Sequence, residues 1–325
     1  MKAVLCREWG EPETLRVEAV AAKPLGPRDV RIRVRACGVN FADTLMVAGK
    51  YQVKPDFPFT PGLEAAGDIV ETGSDVTMLR PGQRVLAVLR FGGAYAEEIV
   101  LNADCVVPIP DRMDYVTAAA FPVAYGTSHF ALTHRGDLKR GETLLVLGAA
   151  GGVGLSAVEI GKHLGARVIA AAGGPEKLAV ARKHGADELI DYRNESIRDR
   201  VRELTGGLGA DVVYDPVGGD AFDQALRAVN WEARMLVIGF AAGRIQQVPA
   251  NLILVKNISV IGVVWGAQAA RDPVLVSRYL AELLGWWEAG RLKPLVAKTF
   301  KLAEVADAMQ ALLSRRHAGK IVLET

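Results

Sequence analysis

The stretch LLVLGAAGGVGLSAVEIGKHLGA, Leu144–Ala166, decides the fold of this chain. Its apolar start predicts a buried strand, its run of glycine and alanine predicts a turn almost without side chains, and its second half predicts a helix. Small residues let a backbone approach a ligand closely, and the first amides of a helix are unpaired donors that attract anions. The stretch therefore predicts a strand, a turn and a helix that together bind a phosphate.

The turn also matches the dinucleotide-binding pattern G-x-G-x-x-G, with Ala149, Gly151 and Gly154 at its three glycine positions. The pattern is weak alone, but here it lies between a strand and a helix, as dinucleotide binding requires. The alternative is a turn rich in glycine only for packing. The residues expected to contact a pyrophosphate are Ala150, Gly151, Gly152, Val153 and Gly154.

The end of the next predicted strand, at residues 171–174, indicates which dinucleotide would bind. A site for NAD has an acidic residue about 20 residues beyond the glycines, where it binds the ribose hydroxyls. No carboxylate occurs in this segment. Lys177 falls in the first turn of a predicted helix, where a cation is mildly unfavourable unless it has a phosphate partner. With Gly173, Tyr192 and Arg193, it would bind the 2′-phosphate of NADPH; the alternative for Lys177 and Arg193 is a solvated surface position.

Hydrophobic periodicity changes along the chain and predicts two domains. The first hundred or so residues contain short alternating strands separated by turns, which predicts an antiparallel, barrel-like domain. From Gly141, strands and helices alternate, which predicts a parallel sheet wrapped by helices. The last helices and strands lack this rhythm and are expected to return to the first domain. The fold class is thus α/β, with residues 1–122 and 262–325 in one domain and residues 123–261 in a doubly wound, Rossmann domain.

Composition excludes several classes of protein. The chain has 325 residues, 50% hydrophobic and 23% charged, and a formal net charge of +2, which is too small to indicate a nucleic-acid surface. No apolar run of about 18 residues could span a bilayer, and the first residues lack the apolar core of a signal peptide, so we expect no membrane association and a cytoplasmic location. Cys6, Cys37 and Cys105 form no CxxC pair, which indicates neither a zinc ribbon nor a disulfide framework.

Five stretches, in this order and spacing, resemble the zinc-free medium-chain dehydrogenase/reductases of the NADPH:quinone oxidoreductase (zeta-crystallin-like) group. They are GVNFADTLMVAGKY (Gly38–Tyr51), FTPGLEAAGDIVETG (Phe59–Gly73), PVAYGTSHFAL (Pro122–Leu132), the AAGGVG turn and the terminal GKIVL. The resemblance implies a GroES-like catalytic domain interrupted by the Rossmann domain, with the active site in the cleft between them. It also implies hydride transfer from NADPH and a homodimer formed through the strand NISVIGVV.

The same resemblance identifies three positions where zinc-dependent relatives carry metal ligands. Asn40 stands in place of a cysteine, Leu63 in place of the histidine of a Gly-His-Glu, and Val123 lies in the region of the third ligand. These three are not a usual zinc ligand set. We therefore expect no metal site.

Without a metal, hydride can be delivered to an electron-poor carbon conjugated to a carbonyl, because the charge then moves onto an oxygen that needs only hydrogen-bond donors. Tyr51 is the candidate proton donor or oxyanion partner, since related enoyl-thioester reductases use a tyrosine at this place; the alternative is a core tyrosine. Asn40 could bind the substrate carbonyl or the nicotinamide ribose, or simply cap a loop. Thr127 resembles the family's residue beside the nicotinamide, and Asp43 and Glu64 are expected to brace or orient this loop.

Other candidates follow the fourth and fifth predicted strands of the Rossmann domain, where ligands bind in open α/β sheets. We expect these to border the nicotinamide; they are Val217, Gly239, Phe240 and Ala241, with core filling as the alternative for Phe240. Trp265 is expected to line the substrate cleft.

The sequence therefore predicts an NADPH-dependent reductase of quinones or α,β-unsaturated carbonyls. One alternative is an enoyl-CoA reductase of the acrylyl-CoA type, for which Arg90, Arg244 and Arg271 could contact the phosphates of CoA. Another is an NADPH-binding sensor or structural protein with slow turnover.

Overall fold

The computed structural model describes residues 1–325, apart from the side chain of residue 269. The chain forms two compact units. Unit 1 comprises Met1–Gly126, Trp265–Glu288 and Pro294–Thr325, and unit 2 comprises Thr127–Val264 and Ala289–Lys293.

Strands and helices occur in both units. The strands are β1 (Lys2–Leu5), β2 (Arg16–Ala19), β3 (Asp29–Val39), β4 (Glu64–Thr72), β5 (Arg84–Val88), β6 (Glu98–Asn102), β7 (Val106–Pro108), β8 (Thr143–Leu147), β9 (Arg167–Ala172), β10 (Glu188–Asp191), β11 (Ala210–Asp215), β12 (Val229–Val237), β13 (Ser259–Gly262), β14 (Val296–Lys301) and β15 (Lys320–Glu324). The α-helices are α1 (Phe41–Val47), α2 (Tyr115–Ala119), α3 (Pro122–His129), α4 (Gly152–His163), α5 (Pro175–Lys183), α6 (Ile197–Leu204), α7 (Gly219–Ala225), α8 (Ala250–Lys256), α9 (Trp265–Arg271), α10 (Pro273–Glu288) and α11 (Val305–Leu313). A π-helical turn, Phe130–Arg135, continues α3.

Unit 1 is built on a seven-stranded sheet with the order β14-β15-β3-β4-β5-β7, in which β6 also pairs with β3. Its central strand β3 alternates arginine with apolar residues, so Val30, Ile32 and Val34 enter the core. On the other face, Arg31 pairs with Glu71 of β4, with 2.9 Å between Nε and Oε2. The last strands, β14 and β15, join this sheet.

Unit 2 contains a six-stranded sheet with the order β10-β9-β8-β11-β12-β13, and every pair in it is parallel. Four successive residues of β8, Leu144–Leu147, are fully buried, as expected of a central strand covered on both faces. The sheet order places β8 and β11 side by side, although they are not consecutive in the chain. This reversal of strand order is where doubly wound sheets bind dinucleotides. The mixed α/β fold class predicted from the sequence is confirmed.

A short returning segment, Ala289–Lys293, also belongs to unit 2. The carboxylate of Glu159 on α4 accepts hydrogen bonds from the backbone N–H of Lys293, at 3.1 and 3.2 Å, and lies 2.5 Å from Nδ1 of His184. These contacts fasten the segment to the helix that follows the glycine-rich turn. Among the described residues, no helix is long and apolar enough to cross a membrane.

Candidate active site

The glycine-rich turn of unit 2 is shaped by Gly148, which has a φ of +59°. A left-handed φ favours glycine, because it lacks a Cβ. The left-handed residue of the turn is thus Gly148, which directly precedes Ala149, the first position of the sequence pattern. Ala149 is buried, and its N–H donates to the carbonyl of Ala171 in β9 at 3.1 Å.

Glycine serves different purposes at positions 151 and 154. A Cβ on Gly154 would lie 2.2 Å from the carbonyl oxygen of Gly148, so helix α4 could not pack this close to the turn with any side chain there. A Cβ on Gly151 would meet only the Gly148 oxygen, at 3.5 Å, and the residue is exposed. Gly154 is needed for packing, whereas Gly151 leaves the backbone open to a ligand.

The N-terminus of α4 begins at this turn. Gly151 is its N-cap, and the N–H of Leu155 donates to the carbonyl of Gly151 at 2.8 Å. The amides of residues 152–154 precede this bond and therefore have no helical carbonyl one turn back. Together with the positive end of the helix dipole, they make the turn suitable for the pyrophosphate of a dinucleotide.

Arg193 and Tyr192 lie over the end of strand β9. A Cβ on Gly173 would be 2.9 Å from Nε of Arg193 and 3.2 Å from the Tyr192 ring, and a Cβ on Gly174 would be 3.2 Å from the guanidinium. Lys177 lies half-buried in the first turn of α5, which begins just after Gly174. The structure thus brings Gly173, Tyr192 and Arg193 together.

Asp191, at the end of β10, fixes the loop that carries Arg193. Its Oδ1 accepts hydrogen bonds from the N–H groups of Gly174, at 2.9 Å, and Arg193, at 3.1 Å, while Oδ2 accepts from Asn194 Nδ2 at 3.0 Å. These bonds, led by the one from Gly174, lower the pKa of the Asp191 carboxyl. With these three bonds, the carboxylate holds the two loops together.

The loops after β11 and β12 are hydrogen-bonded side by side. The N–H of Ala241 donates to the carbonyl of Pro216 at 3.1 Å, and the N–H of Gly239 to that of Asp215 at 3.3 Å. Val217 lies against the tight turn, since a Cβ on Gly148 would be 2.9 Å from its Cγ2. The structure therefore brings the predicted residues Val217, Gly239 and Ala241 to the same end of the sheet as the glycine-rich turn.

Asp215 is a fully buried carboxyl at this end of the sheet. Its Oδ1 accepts hydrogen bonds from the N–H groups of Val217 and Gly218, both at 2.8 Å. Among the described residues, no donor reaches its Oδ2. Burial raises the pKa of Asp215 to about 6, although the two backbone donors oppose the shift. The side chain ties the turn that follows β11.

Buried hydroxyl groups connect Ser128, the residue after Thr127, to the start of helix α4 after the glycine-rich turn. Ser128 Oγ donates to the carbonyl of Val153 at 2.9 Å and lies 2.9 Å from Ser156 Oγ and 2.8 Å from the Tyr214 hydroxyl. Thr127 itself is buried within α3. The cluster therefore fixes the end of α3 against the start of α4.

In unit 1, Asn40 belongs to a buried polar network. Its Nδ2 donates to Glu64 Oε1 at 2.9 Å, and its Oδ1 accepts from Lys320 Nζ at 2.6 Å. Lys320 also donates to Glu64 Oε1 at 2.7 Å, and Glu64 Oε2 accepts from the N–H of Val123 at 2.7 Å. Asn40 is buried, at 8% exposure, and these bonds hold its amide in place.

Asp43 braces the loop that carries Asn40, as expected. Its Oδ2 accepts hydrogen bonds from the N–H of Asn40 at 2.8 Å and from the Tyr95 hydroxyl at 2.9 Å. Burial, the largest effect, raises the pKa of Asp43 to about 7, and its hydrogen bonds only partly oppose this. The carboxyl is therefore poised between its neutral and charged forms near neutral pH.

Tyr51 follows helix α1 and is half-buried against the core of unit 1. Its backbone N–H donates to the carbonyl of Leu45 at 3.1 Å, which fixes where the loop leaves the helix. Burial first, and the charge of Asp43 second, raise the pKa of Tyr51. The phenol therefore keeps its proton at neutral pH and remains able to donate it.

Two further candidates are more enclosed than the sequence suggested. Trp265 starts α9 and is only 4% exposed, and a Cβ on Gly126 would lie 2.6 Å from its ring. Phe240 is half-buried, with its ring 3.5 Å from the position that a Cβ on Gly218 would take. The substrate-lining role of Trp265 stays a prediction.

The three positions that carry zinc ligands in related enzymes do not fit a zinc ion here. Leu63 is buried in the core of unit 1, Val123 contributes only its backbone N–H, and the amide of Asn40 is bonded to a lysine ammonium. Amide and aliphatic side chains provide neither thiolate nor imidazole, and the ammonium would repel a divalent cation. Among the described residues, no group of three or more histidine, cysteine or acidic side chains could hold a metal.

Sequence reasoning missed Lys320 and Tyr95, which hold Asn40 and Asp43. The sequence does contain a signal for Lys320, which is the first residue of the apolar run KIVL. A lysine is rarely buried without a partner, so a lysine in such a run indicates a buried partner. Its partners lie 256 and 280 residues away, so they could not be named from the sequence.

Comparisons with known proteins agree with this fold. The model of the alcohol dehydrogenase GroES-like domain matches residues 26–111, and that of the zinc-binding dehydrogenases matches residues 152–278. A quinone oxidoreductase-like protein 2 homolog of Nematostella vectensis is 43% identical over 326 residues, covering 100% of this chain and 89% of that protein. The human quinone oxidoreductase is 32% identical, covering 99% of this chain and 97% of its own.

Among solved structures, the Escherichia coli quinone oxidoreductase complexed with NADPH matches with a TM-score of 0.92 and 29% identity, over 100% of both chains. The chain therefore belongs to the medium-chain dehydrogenase/reductase family, among its quinone oxidoreductase-like members.

Proposed function

We propose that the protein is an NADPH-dependent reductase that delivers a hydride to quinones or α,β-unsaturated carbonyls without a metal. The observation that carries the proposal is the end of β9, where Gly173 and Gly174 carry no carboxylate and the Arg193 guanidinium lies directly over them. A guanidinium binds phosphate oxygens with paired, charge-assisted hydrogen bonds. This is the arrangement that a 2′-phosphate requires, and NAD lacks that group.

The glycine-rich turn supports the same cofactor. The exposed Gly151 backbone and the amides at the start of α4 fit a pyrophosphate. The Escherichia coli relative is a complex with NADPH. When bound, NADPH supplies the hydride. The roles of Thr127, Val217, Gly239, Phe240 and Ala241 beside the nicotinamide are part of this proposal.

In this proposal, residues of unit 1 supply the proton and the hydrogen-bond donor that the reduction also requires. Reduction of a quinone or an enone adds one hydride and one proton, and negative charge grows on the carbonyl oxygen as the hydride arrives. Asn40 offers an amide N–H to that oxygen, and Tyr51 offers the proton of its neutral phenol. We propose Asn40 and Tyr51 as substrate-binding and catalytic residues, with Trp265 as a further substrate contact.

No observation favours the enoyl-CoA alternative. Of the arginines considered for CoA, Arg244 is paired with Asp220 at 2.9 Å and Asp223 at 2.5 Å, and Arg90 lies over the ring of Phe91. The homodimer expected through β13 is also a proposal; β13 lies at the edge of its sheet, where a second copy could pair.

Turnover of a substrate panel tests the proposal. NADPH oxidation is followed with benzoquinone, phenanthrenequinone, a simple enone and crotonyl-CoA, in the wild type and in Tyr51→Phe. We expect turnover of a quinone or enone and a kcat about 10²-fold lower in Tyr51→Phe, because the phenylalanine cannot donate a proton. Tyr279→Phe, in helix α10, is the matched control and should keep the wild-type rate. Turnover of crotonyl-CoA alone would replace the proposed substrate class, and tight NADPH binding without any turnover would indicate a sensor.

A further inference from the structure

Lys320 is a buried cation whose hydrogen-bond donors are all in use. Its Nζ donates to the carbonyl of Val39 at 3.1 Å, to Asn40 Oδ1 at 2.6 Å and to Glu64 Oε1 at 2.7 Å. An ammonium has three donors and no acceptor, so none is left for a ligand. The side chain of Lys320 is 8% exposed and that of Glu64 is 0% exposed. Any effect of Lys320 on a reaction must therefore act through the groups that it holds.

Sheet register explains why these groups meet. Strand β15 runs antiparallel to β3 with Ile321 opposite Val39, so the next pair places Lys320 opposite Asn40. Beside them, a Cβ on Gly38 would lie 2.1 Å from Glu64 Oε1. Glycine at position 38 is what lets the Glu64 carboxylate enter the network.

The network fixes the orientation of the Asn40 amide. Lys320 can only donate, so it requires the oxygen of Asn40, and the Glu64 carboxylate can only accept, so it requires the nitrogen. One of the two Nδ2 hydrogens is thereby used. Among the described residues, no acceptor is found for the second. A rotated amide would place like groups together on both sides, so the cation and the carboxylate jointly exclude it.

The same network links Asn40 and Val123, two of the three positions compared above with zinc ligands. Glu64 accepts from Asn40 on one oxygen and from the N–H of Val123 on the other, and the Lys320 ammonium lies beside it. A buried lysine ammonium, paired with the Glu64 carboxylate, thus lies beside Asn40.

We propose that Lys320 is a positioning residue for the reduction: it locks the Asn40 amide so that its second N–H is held ready for the substrate carbonyl oxygen. This inference rests on the proposed function. A donor that is oriented in advance stabilises developing negative charge without reorganising during the reaction. Lys320 itself does not touch the substrate.

Three variants separate positioning from a merely structural role. Lys320→Met removes the cation but keeps an unbranched chain. Lys320→Met with Glu64→Gln removes both buried charges, so that no carboxylate is left buried without a partner. Lys301→Met, in the neighbouring strand β14, removes an exposed lysine that is paired with Glu324 at 3.4 Å, and it is the matched control.

In the kinetic experiment, kcat for the quinone, the Kd of NADPH from protein fluorescence, and Tm are measured for each variant. We expect Lys320→Met to lower kcat about tenfold or more with the Kd of NADPH unchanged, because a misplaced donor mainly affects the transition state. The double variant should regain Tm but not kcat. Lys301→Met should match the wild type.

A second readout requires neither substrate nor cofactor. The chain has six asparagines, so selective ¹⁵N-asparagine labelling gives a simple spectrum of side-chain amides, in which Asn40→Ala identifies the Asn40 pair. We expect the Asn40 pair to shift and to lose protection from hydrogen exchange in Lys320→Met and in the double variant, but not in Lys301→Met.

An Asn40 amide signal unmoved in both Lys320 variants would overturn the inference, as would a kcat that returns together with Tm in the double variant. If the wild type reduces neither quinones nor enones, the proposed function fails, and the amide spectrum still decides whether Lys320 locks Asn40. If Lys320→Met alone does not fold, the double variant provides both readouts.

Discussion

At the scale of single residues, the structure separates groups that meet ligands from groups that hold them in place. Arg193 lies over Gly173, whereas the carboxylate of the neighbouring Asp191 accepts hydrogen bonds from backbone amides. In unit 1, Asn40 is 8% exposed, and the fully buried Asp43 accepts a hydrogen bond from its backbone N–H. Asn40 is fixed by the buried partners Glu64 and Lys320, and Asp191 fixes the backbone of the loop that carries Arg193; such fixing reduces the entropy that binding must overcome.

Replacing Arg193 tests the choice of cofactor. We expect Arg193→Ala to lower kcat/KM with NADPH about 10- to 100-fold, the value of a charge-assisted hydrogen bond to phosphate, and to leave kcat/KM with NADH nearly unchanged. Initial rates measured with both nucleotides give the ratio of kcat/KM with NADPH to kcat/KM with NADH. Arg198→Ala, an exposed arginine on α6, is the control. Equal losses with the two nucleotides would show that Arg193 does not bind the 2′-phosphate.

Asp43 makes stability depend on pH. Burial raises its pKa to about 7, so the folded protein favours the neutral carboxyl. Stability is therefore lost as the pH rises from the pKa of Asp43 in the unfolded chain through its pKa in the folded protein. We expect the free energy of unfolding of the wild type to fall by about 2–3 kcal/mol, relative to that of Asp43→Asn, between about pH 5 and about pH 8. Urea unfolding of both proteins measures this difference.

The control for this effect is Asp191→Asn, because hydrogen bonds lower the pKa of Asp191. Its contribution has the opposite sign: it is present at neutral pH and is lost on acidification. A stability difference between wild type and Asp43→Asn that stays constant over the same pH range would contradict the account of Asp43.

At the scale of elements, the strand, turn and helix around Gly148 could be predicted almost completely. The sequence indicated the strand, the turn and the helix, and the structure has them as Thr143–Leu147 and Gly152–His163. Such elements depend on local periodicity and on helix-end chemistry, both of which a short window contains. The sequence pattern has Ala149 at its first glycine position, and the residue with a left-handed φ is Gly148; spacing alone carries no information about φ.

Two glycines of this turn make a contrasting pair of variants. We expect Gly154→Ala to lower both Tm and nucleotide affinity, since its Cβ would lie 2.2 Å from a backbone oxygen that cannot easily move. Gly151→Ala should keep Tm, because its Cβ has space, and should lose affinity for NADPH by blocking approach to the turn. Calorimetry and fluorescence titration measure the two effects. If Gly151→Ala binds NADPH as well as the wild type does, the pyrophosphate does not lie on this turn.

At the scale of the whole chain, each unit has its own hydrophobic core, and the sequence indicated both. One core is formed by strands with alternating burial, such as β3, and the other by continuous apolar strands, such as β8. The network of Asn40, Glu64 and Lys320 could not be predicted, because it depends on the register between strands that are far apart in the chain. Local pattern determines which residues are buried, whereas register determines which of them meet.

We propose that this chain reduces a conjugated carbonyl with NADPH and without a metal. The most direct test is the rate of NADPH oxidation by protein stripped of metal with a chelator, with a quinone and an enone as substrates, before and after zinc is added. We predict that the stripped protein keeps the full rate and that zinc does not increase it. A rate that vanishes on stripping and returns with zinc would contradict it.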